Sequence, residues 1–232
     1  MPNKVVVRVL SPSAVHSSLE ALVAAHRGKG GGEVKLAFGT APTLVKRIAG
    51  GEAADIIIAP PGVMDELVGM GKANPDGRFQ LGRAGVGVCV RDGAPFPDVS
   101  STEALKRALL EAESVFHTQA SSGIYVAQLL ERLGVAAGIR DRIRSYHDAQ
   151  ETFTHLLGSK GRDIGFGGLP EIRRWHDRGL RLVAPLPPDI QNYTAYLAAL
   201  VSNPPNREGA RAFFKFLASA EAKALLVANG VD

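Results

Sequence analysis

The chain has one cysteine, one tryptophan and an aromatic share of 6% in 232 residues. A lone cysteine excludes an internal disulfide. Its setting, Val86-Gly87-Val88-Cys89-Val90, predicts an inert thiol buried in a strand. The six histidines (His16, His26, His117, His147, His155 and His176) show no HExxH-type pairing, and no Cys/His metal spacing exists. Neither a metal nor a cofactor is therefore expected. No apolar run has the length needed to cross a bilayer, so membrane insertion is not expected. Charge of one sign is also scarce, with 27 Lys+Arg against 23 Asp+Glu and a net charge of +4. The basic knots Arg140-Asp141-Arg142-Ile143-Arg144 and Arg173-Arg174 have acidic neighbours and no aromatic stacking platform. They read as solvated helix faces, and nucleic acid is not an expected partner. No targeting segment precedes Val5–Leu10, which reads as a core strand. The expected location is cytoplasmic with Met1 as the native start, or periplasmic with a signal peptide removed.

What the chain does contain is a repeated layout. Leu10-Ser11-Pro12-Ser13-Ala14, Gly39-Thr40-Ala41-Pro42-Thr43-Leu44 and Phe116-His117-Thr118-Gln119-Ala120-Ser121-Ser122-Gly123 each run from a strand through hydroxyls into a helix. The first turn of a helix carries N–H groups without intrahelical acceptors and a partial positive charge. A small anion can be held there without lysine or arginine. Ser13, Thr40 and Ser121 read equally as ordinary N-caps when taken singly. Three such starts, in both halves of the chain, point to one anionic guest.

The N-terminal third alternates strand 5–10, helix 14–25 with Ser13 as cap, strand 33–38, helix 42–49, strand 55–59 and a helix ending near Met70. Gly28-Lys29-Gly30-Gly31-Gly32 reads as a breaker loop. The isoleucine-rich strand at 55–59 suits a parallel strand buried on both faces. The order βαβαβα implies right-handed crossovers, with ligands at the C-terminal strand ends. A long strand near 83–91 follows, then a second alternating set. That set has helix 101–112, strand 114–117, helix 123–133, strand 143–147, helix 149–157, strand 163–166, helix 169–177 and strand 181–184. Another long strand, 193–201, and helices 206–218 and 220–228 complete the chain. The expected architecture is α/β and two-lobed. Lobe one comprises 1–82 and 193–232, lobe two 83–192, with hinge strands near 83–91 and 193–201. The ligand cleft is expected between the lobes.

Several of these residues resemble the bacterial molybdate/tungstate-type periplasmic solute-binding proteins. They are Ser13, the Phe38–Leu44 turn, Ile48-x-Gly50-x-x-Ala53-Ala54-Asp55-Ile56, Met64-Asp65-Glu66-Leu67, Ser121-Ser122-Gly123-Ile124-Tyr125 and Ile164-Gly165-Phe166-Gly167. The C-terminal pattern from Phe213 through Phe216-Leu217, Glu221-Ala222 and Leu225-Leu226 to Gly230 also fits. The resemblance covers nearly the whole chain. It implies the type II periplasmic binding protein fold, each lobe a mainly parallel sheet flanked by helices. It also implies an oxyanion held by backbone N–H groups and hydroxyls from both lobes. The ligand-binding positions it implies, with the neighbouring hydroxyls, are Ser11, Ser13, Thr40, Thr43, Ser121, Ser122, Gly123, Phe166 and Gln150, with a backbone N–H near Ala149 or Gln150. Pro42 stands in a usually serine-rich turn and donates no N–H. Phe166 stands where a tyrosine often donates its hydroxyl. Two donors fewer widen the expected guest from a molybdate-like oxyanion to a small carboxylate.

The leading expectation is a non-catalytic solute-binding protein that closes over a small anion. Its partner, in an exported protein, is an ABC-type transporter permease. The alternative is a cytosolic enzyme on the same scaffold, for example an isomerase of a small unsaturated acid, with His16, His117 and Glu151 as acid–base candidates.

Overall fold

A computed structural model describes residues 6–232; Val5, the first residue of the expected opening strand, lies outside them. The chain divides into two compact units, Met1–Arg83 with Ala195–Asp232, and Ala84–Thr194. It passes from the first to the second within β4, Phe79–Arg91, and returns within β9, Tyr193–Leu200.

In unit 1, β1 (Val7–Pro12) lies between β2 (Val34–Gly39) and β3 (Ile56–Ala59), parallel to both. β9 runs antiparallel to β3. All four residues of β3 are buried, as expected of a strand covered on both faces. On one face, Leu44 and Ile48 of α2 (Ala41–Ala49) and Met64 and Leu67 of α3 (Pro61–Gly69) pack against Leu10, Ile57 and Ala199. α1 (His16–Gly28) packs against α9 (Arg207–Leu217) and α10 (Ala220–Ala228). In α9 the buried residues Ala210, Phe213 and Leu217 fall at helical spacing and form its inner stripe. The buried carboxylate of Asp55 accepts the Arg8 N–H at 2.8 Å and the Asn206 N–H at 2.6 Å. It thereby ties β1 to the start of α9, so the acid of the Ala53-Ala54-Asp55 run has a structural task.

Unit 2 has β5 (Ser114–Thr118) between β6 (Ile143–Tyr146) and β7 (Asp163–Gly168), parallel to both. β4 is antiparallel to β7 and to β8 (Leu180–Pro185). α4 (Thr102–Glu111), α5 (Ser121–Arg132) and the short α6 (Ala136–Ile139) share one core with Val86, Val88, Val115 and Ile164. α7 (Ala149–Gly158) and α8 (Leu169–Arg174) pack on the other through Phe153, Leu156, Ile172 and Trp175. Cys89 lies in this second core, fully buried. Burial raises its thiol pKa far above the ordinary value, which fits the inert role expected of it.

Four local expectations change. Ser13 does not cap α1; it opens a 3-10 turn, Ser13–Val15, and Val15 occupies the N-cap position. α5 starts at Ser121, ahead of the expected 123, and α6 was not anticipated. The parallel strands of each unit are joined by antiparallel ones, β9 against β3 in unit 1 and β4 against β7 and β8 in unit 2.

Candidate functional site

The β1–β2 register pairs Ser11 with Phe38 and Pro12 with Gly39. Ser13 and Thr40 are the next residues on each strand, so the fold sets them side by side at one sheet edge. Thr40 is the N-cap residue of α2, yet its hydroxyl contacts the Thr43 hydroxyl at 2.9 Å and makes no capping bond. Ser11 is buried and donates to the Pro12 carbonyl at 3.2 Å. His16 stacks on Phe38, ring centroids 3.7 Å apart and planes within 14°. Its Nε2 lies 3.1 Å from the Glu20 carboxylate. Thus Ser11, Ser13, His16, Thr40 and Thr43 gather at the strand ends of unit 1, with Phe38, named only as part of its turn, and Glu20, which the sequence reading did not name, as neighbours.

In unit 2, Thr118 pairs with Tyr146 across β5–β6, and Gln119 N–H donates to the Tyr146 carbonyl at 2.7 Å. The turns after β5 and β6 therefore leave the same edge. Ser121 and Ser122 are half-buried in the first turn of α5. Gly123 is buried, and a Cβ on it would meet the Thr118 carbonyl oxygen at 1.8 Å. The closeness of this turn demands glycine there. Gln150 is exposed in the first turn of α7. Asp148 caps that helix by accepting the Glu151 N–H at 2.9 Å, and the Glu151 carboxylate accepts the His147 N–H at 3.2 Å. Glu151 is thus engaged in a capping arrangement. His117 is buried in β5 with Nδ1 2.9 Å from the Thr118 carbonyl oxygen. Phe166 does not join the edge: it is buried in the core shared with α4 and α5.

The helix starts differ in a way that the sequence did not disclose. α4, α7, α9 and α10 are capped by the side chains of Ser101, Asp148, Asn206 and Ser219. α1, α2 and α5, which carry the candidate hydroxyls, have no side-chain cap among the described residues. Their hydroxyls stand beside helix ends without consuming the N–H groups there. No group of three or more His, Cys, Asp or Glu side chains able to hold a metal occurs among the described residues.

A family model described as bacterial extracellular solute-binding protein matches residues 7–232. The chain belongs to that family. It is 29% identical over 231 residues to an aconitate isomerase from Pseudomonas sp., covering 96% of this chain and 86% of the relative. Its fold is similar to the periplasmic molybdate-binding protein of Azotobacter vinelandii, with TM-score 0.79, 17% identity and coverage of 97% and 98% of the two chains. It is also similar to Peb3 of Campylobacter jejuni in its L-phospholactate-bound form, with TM-score 0.73, 16% identity and coverage of 97% and 98%. The α/β type II binding-protein architecture of this solute-binding protein follows from these matches together with the sheets described above.

Proposed function

We propose that this solute-binding protein captures a small organic anion bearing carboxylate at hydroxyl-bearing helix starts, the candidate positions being Ser13 and Thr40 in unit 1 and Ser121–Ser122 in unit 2. The observation that carries the reading is the split in capping. α4, α9 and α10 use Ser101, Asn206 and Ser219 to satisfy their first turn, whereas α1, α2 and α5 do not; α3, α6 and α8 also lack a side-chain cap but bring no hydroxyl to their starts. A helix end with hydroxyls nearby and no cap favours an anion. Pro42 and Phe166 supply fewer donors than a tetrahedral oxyanion site expects, which favours a carboxylate. Glycine at 39 and 123 lets the turns stay tight at both edges. We take the partner of the exported protein to be an ABC-type permease.

Thermal-shift screening against molybdate, sulfate, cis-aconitate and trans-aconitate, followed by calorimetry, tests the reading. Ser13→Ala and Ser122→Ala should each weaken the best guest about fivefold to tenfold, by roughly one hydrogen bond apiece. Unchanged affinity in the double variant refutes both positions, and loss from only one refutes the other position.

A second reading, isomerisation of a small unsaturated acid, is favoured by the 29% identity to an aconitate isomerase. The His16–Glu20 pair supports it, because an imidazole oriented by a carboxylate is suited to moving a proton. Turnover of cis-aconitate that His16→Ala abolishes would establish it. Binding without turnover leaves capture alone.

A further inference from the structure

Arg47 and Glu52 have no part in the reading above, yet hydrogen bonds tie them to the unit 1 edge. β2 is an edge strand, paired with β1, and its last residues, Phe38 and Gly39, lead straight into Thr40. The Arg47 Nη1 group donates to the Phe38 carbonyl at 3.0 Å. Its Nε and Nη2 groups donate to the two carboxylate oxygens of Glu52. One guanidinium thus joins the end of β2 to the loop that follows α2. The planar fork of arginine suits this double task, which the point charge of a lysine does not.

The local sequence builds this arrangement. Thr40, Thr43 and Arg47 stand at i, i+3 and i+7, along one face of α2. The two threonine hydroxyls meet at 2.9 Å where that face begins, and Arg47 lies in its last turn. Gly51 follows with φ +88°, a conformation that glycine adopts without strain. The chain folds back there, and the Glu52 N–H donates to the Arg47 carbonyl at 3.0 Å. The hydrogen bond from Arg47 holds the Glu52 carboxyl below its ordinary pKa, so the pair is charged at neutral pH. Both side chains are partly exposed, and such a pair adds little to stability. The bond to Phe38 does something else. It fixes the backbone of the residue whose ring stacks on His16, centroids 3.7 Å apart.

We propose that Arg47, held by Glu52, is a positioning residue for the anion at unit 1: it fixes the Phe38-Gly39-Thr40 turn, and with it the placement of the His16 ring relative to the Thr40 hydroxyl. All three guanidinium nitrogens already carry partners, and Glu52 balances the charge. The effect on the guest therefore passes through Phe38 and is geometric. Hydrogen bonds weaken steeply when donor and acceptor fall out of line, so a turn that shifts loses affinity even with every donor still present. The inference rests on the anion reading above.

Two readouts test this: calorimetry with trans-aconitate and proton NMR of the His16 ring. A phenyl ring stacked face-on moves the imidazole protons upfield, and Phe38→Leu identifies that shift. Arg47→Met keeps much of the side chain and removes all three hydrogen bonds. It should lose most of the upfield shift and weaken trans-aconitate about fivefold, and Glu52→Gln should act in the same direction by about twofold. Arg47→Lys restores the charge but cannot hold both partners, so it should not recover the shift. Ser101→Ala, which removes a cap in unit 2, controls for stability alone and should leave both readouts unchanged. Where Arg47→Met does not fold, Glu52→Gln decides by the same two readouts. An unchanged His16 shift or an unchanged affinity, while Ser13→Ala and Thr40→Val weaken binding, overturns the assignment and leaves the anion reading standing. An intact protein that binds none of molybdate, sulfate or either aconitate overturns both.

Discussion

Unit 1 and unit 2 use one local plan, a parallel strand ending in a hydroxyl-bearing turn and a helix, yet one titratable group in each, His26 and Glu171, responds to pH in the opposite direction. In unit 1, His26 is buried against Phe213 at 4.9 Å and Phe216 at 5.3 Å, and burial lowers its pKa. In unit 2, burial raises that of Glu171 to about 7. Removal from water penalises the charged form in both cases. The outcome differs because a histidine is charged on the acid side and a glutamate on the alkaline side. Shared topology therefore does not imply a shared pH range of stability.

The turns differ as well. At the unit 2 turn, a Cβ on Gly123 would meet the Thr118 carbonyl oxygen at 1.8 Å; at the unit 1 turn, a Cβ on Gly39 would meet Thr43 Cγ2 at 3.3 Å. The largest expected effect follows from this. Gly123→Ala should cost about 3 kcal/mol or more, since backbone cannot yield as a side chain can, and Gly39→Ala less than about 1 kcal/mol. Equal losses in urea denaturation would break the contrast.

The pH response comes next in size. Glu171 has a folded pKa of about 7 against 4.5 for the free side chain, so the native state holds the proton more tightly. The group's stabilising effect is complete below pH 4.5 and is lost as pH rises through 7, a change of up to about 3 kcal/mol. Glu171→Gln should remove that slope in denaturation curves taken from pH 4 to pH 9. His26 acts in the reverse sense. Its lowered pKa means that its contribution is complete above pH 6.5 and is lost as pH falls below it. Hydrogen exchange at pH 5 should show the amides of α1 and α9 opening earlier than at pH 7, and His26→Leu should suppress the difference. Acid opening confined to unit 2 would contradict this assignment.

The smallest expected effects separate caps from candidate ligands. Ser101→Ala removes a bond to the Ala104 N–H and should cost about 1 kcal/mol in stability without altering anion affinity. Thr40→Val removes only the contact with the Thr43 hydroxyl. It should cost no more than about 1 kcal/mol in stability and weaken trans-aconitate binding measurably. Equal affinities for the two variants would dissolve the distinction between capped and uncapped starts.

Much of the fold was legible before the structure. Alternating apolar runs and hydroxyl or proline starts locate most elements within a few residues, as for β3, α2, α9 and α10. The short α6 escaped, because four residues are too few to show a helical period. Half of the Asp148 arrangement was also visible, since an aspartate three residues before Glu151 is a capping signature. Phe166 illustrates the limit. Its likeness to a family ligand position suggested a place at the edge, while its side chain fills the core.

By itself the sequence determined the element order, the absence of any disulfide and the presence of three hydroxyl-bearing helix starts, because these depend on residue type and on neighbours within a turn. Tertiary structure alone decided that Ser13 stands beside Thr40, that Gly123 must be bare, and that His16 meets both Phe38 and Glu20. It also decided that Glu171 holds its proton near neutral pH. The first two depend on strand register and close backbone approach. The Phe38 contact depends on strands far apart in the chain coming together, whereas the Glu20 contact is local but needs His16 to begin the helix. The proton depends on how far the folded chain shields one partly exposed carboxyl from water, which no local pattern of residues encodes.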